Sequence, residues 1–302
     1  MRMDIKLLEA FKVVMENRSI TQAAKMLGLT QPAVSAQIAR LEAQVGFSLF
    51  TRAGGRLIPS DQGRQFFQEV IHALGGIDRL VDISRTICSG RAGRLVIAGH
   101  PSASTSILPD LVSRFSAGNP DATVKMISRT SEGVRSVFDA ASVDIGIAEI
   151  PIDLVGTEVR KYSLDCVAIL PAGHPLADRD IIMPADLSGL PFIAMAQGRL
   201  IGHRVRSAFV ESGAEFNAIV ESEYFSSICR LVAAGTGVSV VDCWSAHTFR
   251  SHGLEVRRFQ PSISYEIGVF TSTERDQSQL TRQFLPMLDA ALTKNPNFDH
   301  EA

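Results

Sequence analysis

The 302-residue sequence predicts an α/β protein in three parts: an all-α helix-turn-helix unit with a small wing, a long connecting helix, and a two-lobed α/β body. Three observations carry that prediction. The stretch "AAKMLGLTQPAVSAQIARLE", residues 23–42, holds two short apolar-faced helical patterns around a tight turn. Residues 60–89 repeat apolar side chains at spacings of three and four. Beyond residue 93, short apolar strands alternate with amphipathic helices.

The first helix is expected over about 5–16, burying Ile5, Leu8, Phe11, Val14 and Met15. Ser19 can cap a second helix over about 20–27, ending at Gly28. Thr30 suits the cap of a third, and Pro32 its first turn, where a missing N–H costs little. Val34, Ile38 and Leu41 give that helix one apolar face, while the small Ala23 and Ala24 let two helices cross closely. In such a motif the second helix enters a major groove with its N-terminal residues foremost, here Thr30, Gln31, Pro32 and Ser35. "FSLFTRAGGRLIPS" then alternates around Gly54-Gly55 and predicts a hairpin, or wing. Arg52 and Arg56 flank its turn, placed for phosphates or a minor groove; the alternative is two solvated arginines.

In the connecting helix, Phe67, Val70, Leu74, Ile77 and Val81 form a heptad seam, widened by Phe66, Ala73, Leu80 and Ile87. A helix of about thirty residues must bury that stripe, most simply against its own copy in a second chain. Packing on the body of the same chain is the alternative. Gly75-Gly76 suggests a local bend, and "SGRAGRL" at 89–95 a hinge. The expected boundaries are 1–60, 61–90 and 91–302.

In the body, "GRLVIAGH", "ATVKMISR", "VDIGIAEI", "LDCVAILP", "PFIAMA", "AIVESE", "GVSVVD", "LEVRRF" and "YEIGVFTS" read as strands with helices between, a parallel-rich pattern. Similar runs from about 93 and 163 suggest two lobes, about 91–161 with 267–302 and about 162–266. Ligands of open α/β sheets bind beyond the carboxyl ends of the strands. Three helix N-termini belong there: after Ser102 and Ser104, after Gln197 and Gly198, and at Phe225-Ser226. Arg129 and Thr130 end the second strand, and Arg129 adds a cation suited to a carboxylate. Glu149 and Asp242 are strand-end acids. Donors together with acids suit a ligand bearing both a carboxylate and an amine. The alternatives are helix capping for Ser102 and Ser104 and a structural hydrogen bond for Asp242.

Composition narrows the class. The net charge is −2, yet residues 1–65 carry nine Lys/Arg against five Asp/Glu, so the excess positive charge sits in the helix-turn-helix segment. No nucleophile elbow, phosphate loop, His-Glu-x-x-His or dinucleotide fingerprint is present, which argues against an enzyme and implies no cofactor or metal. Cys88, Cys166, Cys229 and Cys243 are too widely spaced for a zinc or redox pair. No apolar run is long enough for a membrane span, and "MRMDIKLLEAFK" lacks the apolar core of a signal peptide, so the cytoplasm is the expected location. A small-solute-binding protein without a transcriptional role is the competing reading; it would need export.

The run Ala23-Ala24, Leu27, Gln31-Pro32-Ala33-Val34-Ser35, Ile38, Leu41-Glu42, Gly46, Leu49-Phe50, Arg52, Pro59 and Gly63 resembles the LysR-type transcriptional regulators. "GRLVIAGHPSASTSILP", "VDIGIAE", "ILPAGHPLA" and "AAGTGVSVVD" look like that family's effector domain, which is periplasmic-binding-protein-like. The resemblance implies a winged helix-turn-helix bound as a homodimer or homotetramer to double-stranded promoter DNA. A small-molecule effector would then change DNA bending or contact with RNA polymerase. Many members carry Arg immediately after the helix serine, where this chain has Ala36; a DNA contact there is missing or shifted to Gln37 or Arg40. "EAFKVVM", the early "FSLFTRAGGRLIPS" and the acid in "GIAEI" are similar to the branch holding the lysine-biosynthesis and opine-catabolism regulators. That likeness implies an amino acid or amino-acid conjugate as effector.

Overall fold

The structure, a computed structural model, describes residues 3–53, 56–89, 93–139, 142–152, 156–274 and 276–293, with side chains except at 52, 53, 56, 79, 82, 83 and 85–89. The chain divides into two compact units, Met1–Arg91 with Ser136–Val143 and Ala92–Arg135 with Asp144–Ala302.

The first unit contains α1 (Ile5–Asn17), α2 (Ile20–Leu27), α3 (Gln31–Val45), β1 (Phe50–Ala53), β2 (Arg56–Pro59) and α4 (Asp61–Ser89). Each of the first three helices starts at a side-chain cap. Asp4 accepts the N–H of Lys6, Ser19 that of Gln22 and Thr30 that of Ala33, each satisfying a first-turn donor. Gly28 ends α2 at φ +64°, a left-handed conformation that lets α3 begin three residues later. α1 buries Leu7, Leu8, Ala10, Phe11 and Val14. Ile5, expected inside, is 45% exposed, and Met15 is half-buried, because the buried stripe is centred on 7, 11 and 14. The Phe11 ring lies 5.7, 5.8 and 6.0 Å from those of Phe50, Phe66 and Phe67, so wing and long helix both pack on α1.

α4 is helical through Gly75 and Gly76. Val70 and Leu74 are 2% and 7% exposed and belong to the core formed with α1, α2 and α3; Phe67 and Ile77 pack against it. The expectation that Val70 and Leu74 face a second chain is therefore corrected: the apolar face of their own unit already covers them. Further along, Leu80 and Val81 are 67% and 44% exposed. The Gly54-Gly55 turn, the side chains of Arg52, Arg56, Ile87 and Cys88, and residues 90–92 of the hinge expected at 89–95 lie outside the described residues; Ser89 ends α4, and Gly93, Arg94 and Leu95 begin a strand.

After α4 the chain runs through β3 (Gly93–Gly99), α5 (Pro101–Thr105), α6 (Ile107–Gly118), β4 (Ala122–Ser128), α7 (Ser131–Asp139, whose last four residues are assigned to the first unit), β5 (Ile145–Glu149), β6 (Thr157–Pro171), β7 (Ile181–Ile182), β8 (Phe192–Met195), α8 (Leu200–Ser212), β9 (Ala218–Ser222), α9 (Phe225–Ala233), β10 (Ser239–Asp242), α10 (Cys243–Phe249), β11 (Leu254–Phe259), β12 (Ser264–Ser272) and α11 (Gln279–Thr293), all otherwise in the second unit. The main sheet has the order β4-β3-β5-β12-β6-β11-β7, with β10 also on β6, and β8 pairs β9 separately. β3 is parallel to β4 and β5, but β12 is antiparallel to β5 and β6, and β10 and β11 are antiparallel to β6. The expected parallel-rich sheet is thus mixed. Its cause is β6, which pairs with β12 over Thr157–Asp165 and then with β10 and β11 from Cys166. One strand therefore serves both halves of the sheet. Edge-on rings seal the interior, Phe115 on Phe284 at 5.3 Å and Phe192 on Phe209 at 5.4 Å. The carboxyl ends of β3, β5 and β10 deliver His100, Glu149 and Asp242.

Candidate functional site

On α3 the structure separates two faces. Val34, Ile38 and Leu41 are buried, while Thr30, Gln31, Pro32, Ala36 and Arg40 are exposed and Ser35 and Gln37 half-buried. The Thr30 hydroxyl is engaged as a cap, so Gln31 is the first exposed side chain of the helix offering both donors and an acceptor. Behind this face, Glu42 fastens the wing. Its Oε1 accepts the backbone N–H of Leu49 at 2.7 Å and of Phe50 at 3.3 Å. Ser60 donates its hydroxyl to the Ser48 carbonyl at 2.6 Å and accepts the Gly63 N–H at 2.8 Å. Gly63 passes so near the wing that a Cβ there would stand 2.2 Å from the Leu49 carbonyl oxygen. Glu42, Leu49 and Gly63 belong to the motif read from the sequence, and here they set the spacing between helix and wing.

In the second unit, a polar cluster forms around Glu149. Its Oε1 accepts the Tyr265 hydroxyl at 2.8 Å and Arg199 Nη2 at 3.1 Å. The Glu149 N–H bonds Ser131 Oγ at 3.2 Å. The Glu149 and Arg199 side chains are 22% and 26% exposed, so the ion pair is only partly desolvated. Phe225 meets the Tyr265 ring edge-on at 5.5 Å, and His100 lies 6.0 Å from that ring. His100 is buried; its Nδ1 is 3.3 Å from the Ile147 carbonyl and its Nε2 has no hydrogen-bond partner among the described residues. Burial lowers the His100 pKa from 6.5 to about 4, against the opposing pull of Glu149, so the ring is neutral near pH 7. Burial, with Glu149 adding to it, lifts the Tyr265 phenol well above its ordinary range and keeps it a donor.

The other expected effector residues are distributed differently. Asp242 is fully buried and accepts the N–H groups of Trp244 and Ser245 at 3.1 and 3.0 Å and the Ser102 hydroxyl at 3.0 Å. Burial pushes its carboxyl up, and those donors pull it down. The structural alternative therefore holds for Asp242. Ser102 is 7% exposed and committed to Asp242 and Ser245, and Ser104 donates to the Gly99 carbonyl at 3.0 Å. In the structure all three make internal bonds, Ser102 and Asp242 tying α5 to the start of α10. Arg129 is exposed and donates to the Ser128 carbonyl; Thr130 accepts the Gly133 N–H in the first turn of α7. Gln197 lines a pocket of about 250 Å³ with Met195, Gly202, His203 and Arg206, and Gly198 is exposed beside it. Ser226 is half-buried. Sequence reasoning missed His100, Arg199 and Tyr265. Arg199 had a local signal, since it holds the N-cap position of α8; Tyr265 is 116 residues from Glu149 and had none.

The thiols of Cys166, Cys229 and Cys243 are buried and pushed up by burial, leaving them unreactive near neutral pH. Among the described residues, no group of three or more His, Cys, Asp or Glu could hold a metal ion, and no helix is long and apolar enough to cross a membrane.

A winged helix-turn-helix followed by a two-part α/β unit with a polar cluster at its strand ends defines a ligand-responsive DNA-binding regulator. The family model "Bacterial regulatory helix-turn-helix protein, lysR family" matches residues 5–64, and "LysR substrate binding domain" matches residues 89–293. The chain belongs to the LysR family of transcriptional regulators: it is a DNA-binding regulator with an effector-binding domain, and not an enzyme. It is 34% identical over 292 residues to the transcriptional activator protein LysR of Escherichia coli, covering 96% of this chain and 94% of that protein. It is 29% identical to the regulatory protein NocR of Agrobacterium fabrum, covering 96% and 97%. The octopine catabolism/uptake operon regulatory protein OccR of Rhizobium meliloti is 28% identical, covering 82% of each chain. The crystal structure of CbnR, a LysR family transcriptional regulator, shares the fold with a TM-score of 0.71 at 22% identity, covering 97% of this chain and 100% of that one.

Proposed function

We propose that this regulator switches transcription at promoter DNA when a small amino-acid-like effector binds at the Glu149 cluster of its second unit. The observation that carries the reading is the Glu149–Arg199 pair, an acid and a cation left partly open beside a neutral, buried His100. Opposite charges at strand and helix ends are what a zwitterion requires. The relative named for octopine catabolism and uptake supports the same class of ligand. Thr30, Gln31, Pro32, Ser35, Gln37 and Arg40, with Arg52 and Arg56 of the wing, meet the DNA, the amide of Gln31 reading a base and the arginines neutralising phosphate. The boundaries 1–60, 61–90 and 91–302 separate reader, connecting helix and sensor, and the sensor's lobes are 91–161 with 267–302 and 162–266. Self-association, as homodimer or homotetramer, uses the exposed part of α4 at Leu80 and Val81, and the assembled regulator works in the cytoplasm by altering RNA polymerase contact. Footprinting of the region upstream of the protein's own gene, with and without each of the twenty L-amino acids and their amino-acid conjugates, tests this. A footprint that no such compound shifts or weakens would remove the effector class.

A further inference from the structure

The Glu149–Arg199 contact is less complete than a structural ion pair. Arg199 Nη2 approaches one carboxylate oxygen at 3.1 Å, and that same Oε1 also takes the Tyr265 hydroxyl at 2.8 Å. No bond to Glu149 Oε2 is made among the described residues, and Arg199 makes this one side-chain bond among them, not the two-pronged fork that arginine and carboxylate favour. Both side chains keep about a quarter of their surface open. Such a pair is easily exchanged.

Beside it stands an acceptor without a donor. The Ile147 carbonyl can only accept, so the 3.3 Å contact puts the ring proton of His100 on Nδ1. Nε2 is then a bare lone pair, buried and unpartnered among the described residues. A buried acceptor in that condition is costly unless a donor reaches it. Glu149 accepts the Tyr265 hydroxyl and the His100 ring lies 6.0 Å from the Tyr265 ring, so both acceptors adjoin that tyrosine. The cation now serving Glu149 comes from the protein itself, on a long side chain at the start of α8.

We propose that Arg199 is a built-in stand-in for the effector's cationic group: a zwitterion displaces its guanidinium from Glu149, places an ammonium against Glu149 and His100 Nε2, and gives the released Arg199 its carboxylate. This rests on the reading of the second unit as an effector sensor. It also makes both charges of the effector necessary. A bare carboxylate cannot take Arg199 from Glu149 without leaving that acid unpaired. A bare amine displaces Arg199 and leaves the guanidinium without a new partner.

Two measurements on the full chain test the exchange. The first uses ethylguanidinium as a substitute for the deleted head group. Arg199→Ala should bind it in the millimolar range, about tenfold or more tighter than the parent, and Arg199→Ala with Glu149→Gln should lose that gain. Equal binding by all three proteins overturns the proposal. The second screens the twenty L-amino acids and their conjugates by thermal shift and follows each binder by calorimetry. A binder should weaken about tenfold or more in both Glu149→Gln and Arg199→Ala, whereas its decarboxylated amine should tighten in Arg199→Ala. If acid and amine move in the same direction in Arg199→Ala, the exchange is wrong although an amino-acid sensor survives. If neither these amino acids nor their conjugates bind the parent, both the exchange and the effector class fall.

Discussion

Replacing Glu42 by alanine should release the wing from the recognition helix while leaving α1 in place. The carboxylate accepts two backbone N–H groups through one oxygen, Leu49 at 2.7 Å and Phe50 at 3.3 Å. Hydrogen bonds to a charged acceptor contribute roughly 1.5–3 kcal/mol each, and the longer contact lies past the best range for N–H···O. Counting it at half, and allowing water to reach the freed amides at this partly buried site, the net loss is about 2 kcal/mol. At about 1.4 kcal/mol per factor of ten, local opening becomes roughly thirtyfold more frequent. Amide hydrogen exchange on the full chain reads this directly. The Leu49 and Phe50 amides should exchange about thirtyfold faster, while the buried Phe11 amide in α1 changes little. Glu42→Gln, which keeps a neutral acceptor, should recover about half of the protection. Unchanged exchange at Leu49 in Glu42→Ala would refute the assignment of Glu42 as the tie between α3 and the wing.

Three further outcomes are expected. Gln31→Ala should cost about 1–3 kcal/mol of specific DNA binding, whereas Arg40→Ala should weaken specific and non-specific DNA alike and lower the salt slope by about one; binding unaffected by both would remove α3 as the reader. Leu74→Asp places a charge in a core position only 7% exposed and should unfold the first unit, while Leu80→Asp, at a site 67% exposed, should spare the fold and weaken self-association; circular dichroism and analytical ultracentrifugation separate the two, and a Leu80→Asp protein that sediments like the parent removes that surface from the interface. His100 has its folded pKa lowered to about 4 from 6.5, so the stability it contributes is fully present above about 6.5 and is lost as pH falls towards 4, about 3 kcal/mol in all. Urea midpoints of the parent and His100→Gln should therefore converge across that window, and midpoints that run parallel from pH 7 to pH 4 would show that the ring does not titrate this way.

The helix-turn-helix was legible because every signal in it is local. Asp4, Ser19 and Thr30 cap within three residues, Gly28 supplies the left-handed turn, and the buried faces follow the helical period. The connecting helix was legible as a helix but not in what covers it. A heptad stripe states that a partner exists; it does not distinguish a second chain from α1 of the same chain, and Val70 and Leu74 went to the latter. The mixed sheet was hidden for a related reason. Strand periodicity is the same whether the neighbour is parallel or antiparallel, and nothing in Thr157–Pro171 announces that its partners change at Cys166.

Two strand-end acids that looked alike in sequence show where local reading of a site ends. Asp242 has a short side chain directly before a helix, and it turns back to cap Trp244 and Ser245, drawing Ser102 into the same buried bond. That outcome was in principle readable, because aspartate before a helical run is a strong cap. Glu149 is one methylene longer and no helix begins at the residue after it, so its carboxylate leaves its own backbone and meets Arg199, 50 residues on, and Tyr265, 116 residues on. Its partners come from elements that the fold alone brings together. Where an acid's first turn of neighbours can satisfy it, burial completes a structural bond; where they cannot, its charge remains partly open to solvent, and an exchangeable ion pair takes shape at the end of the strand.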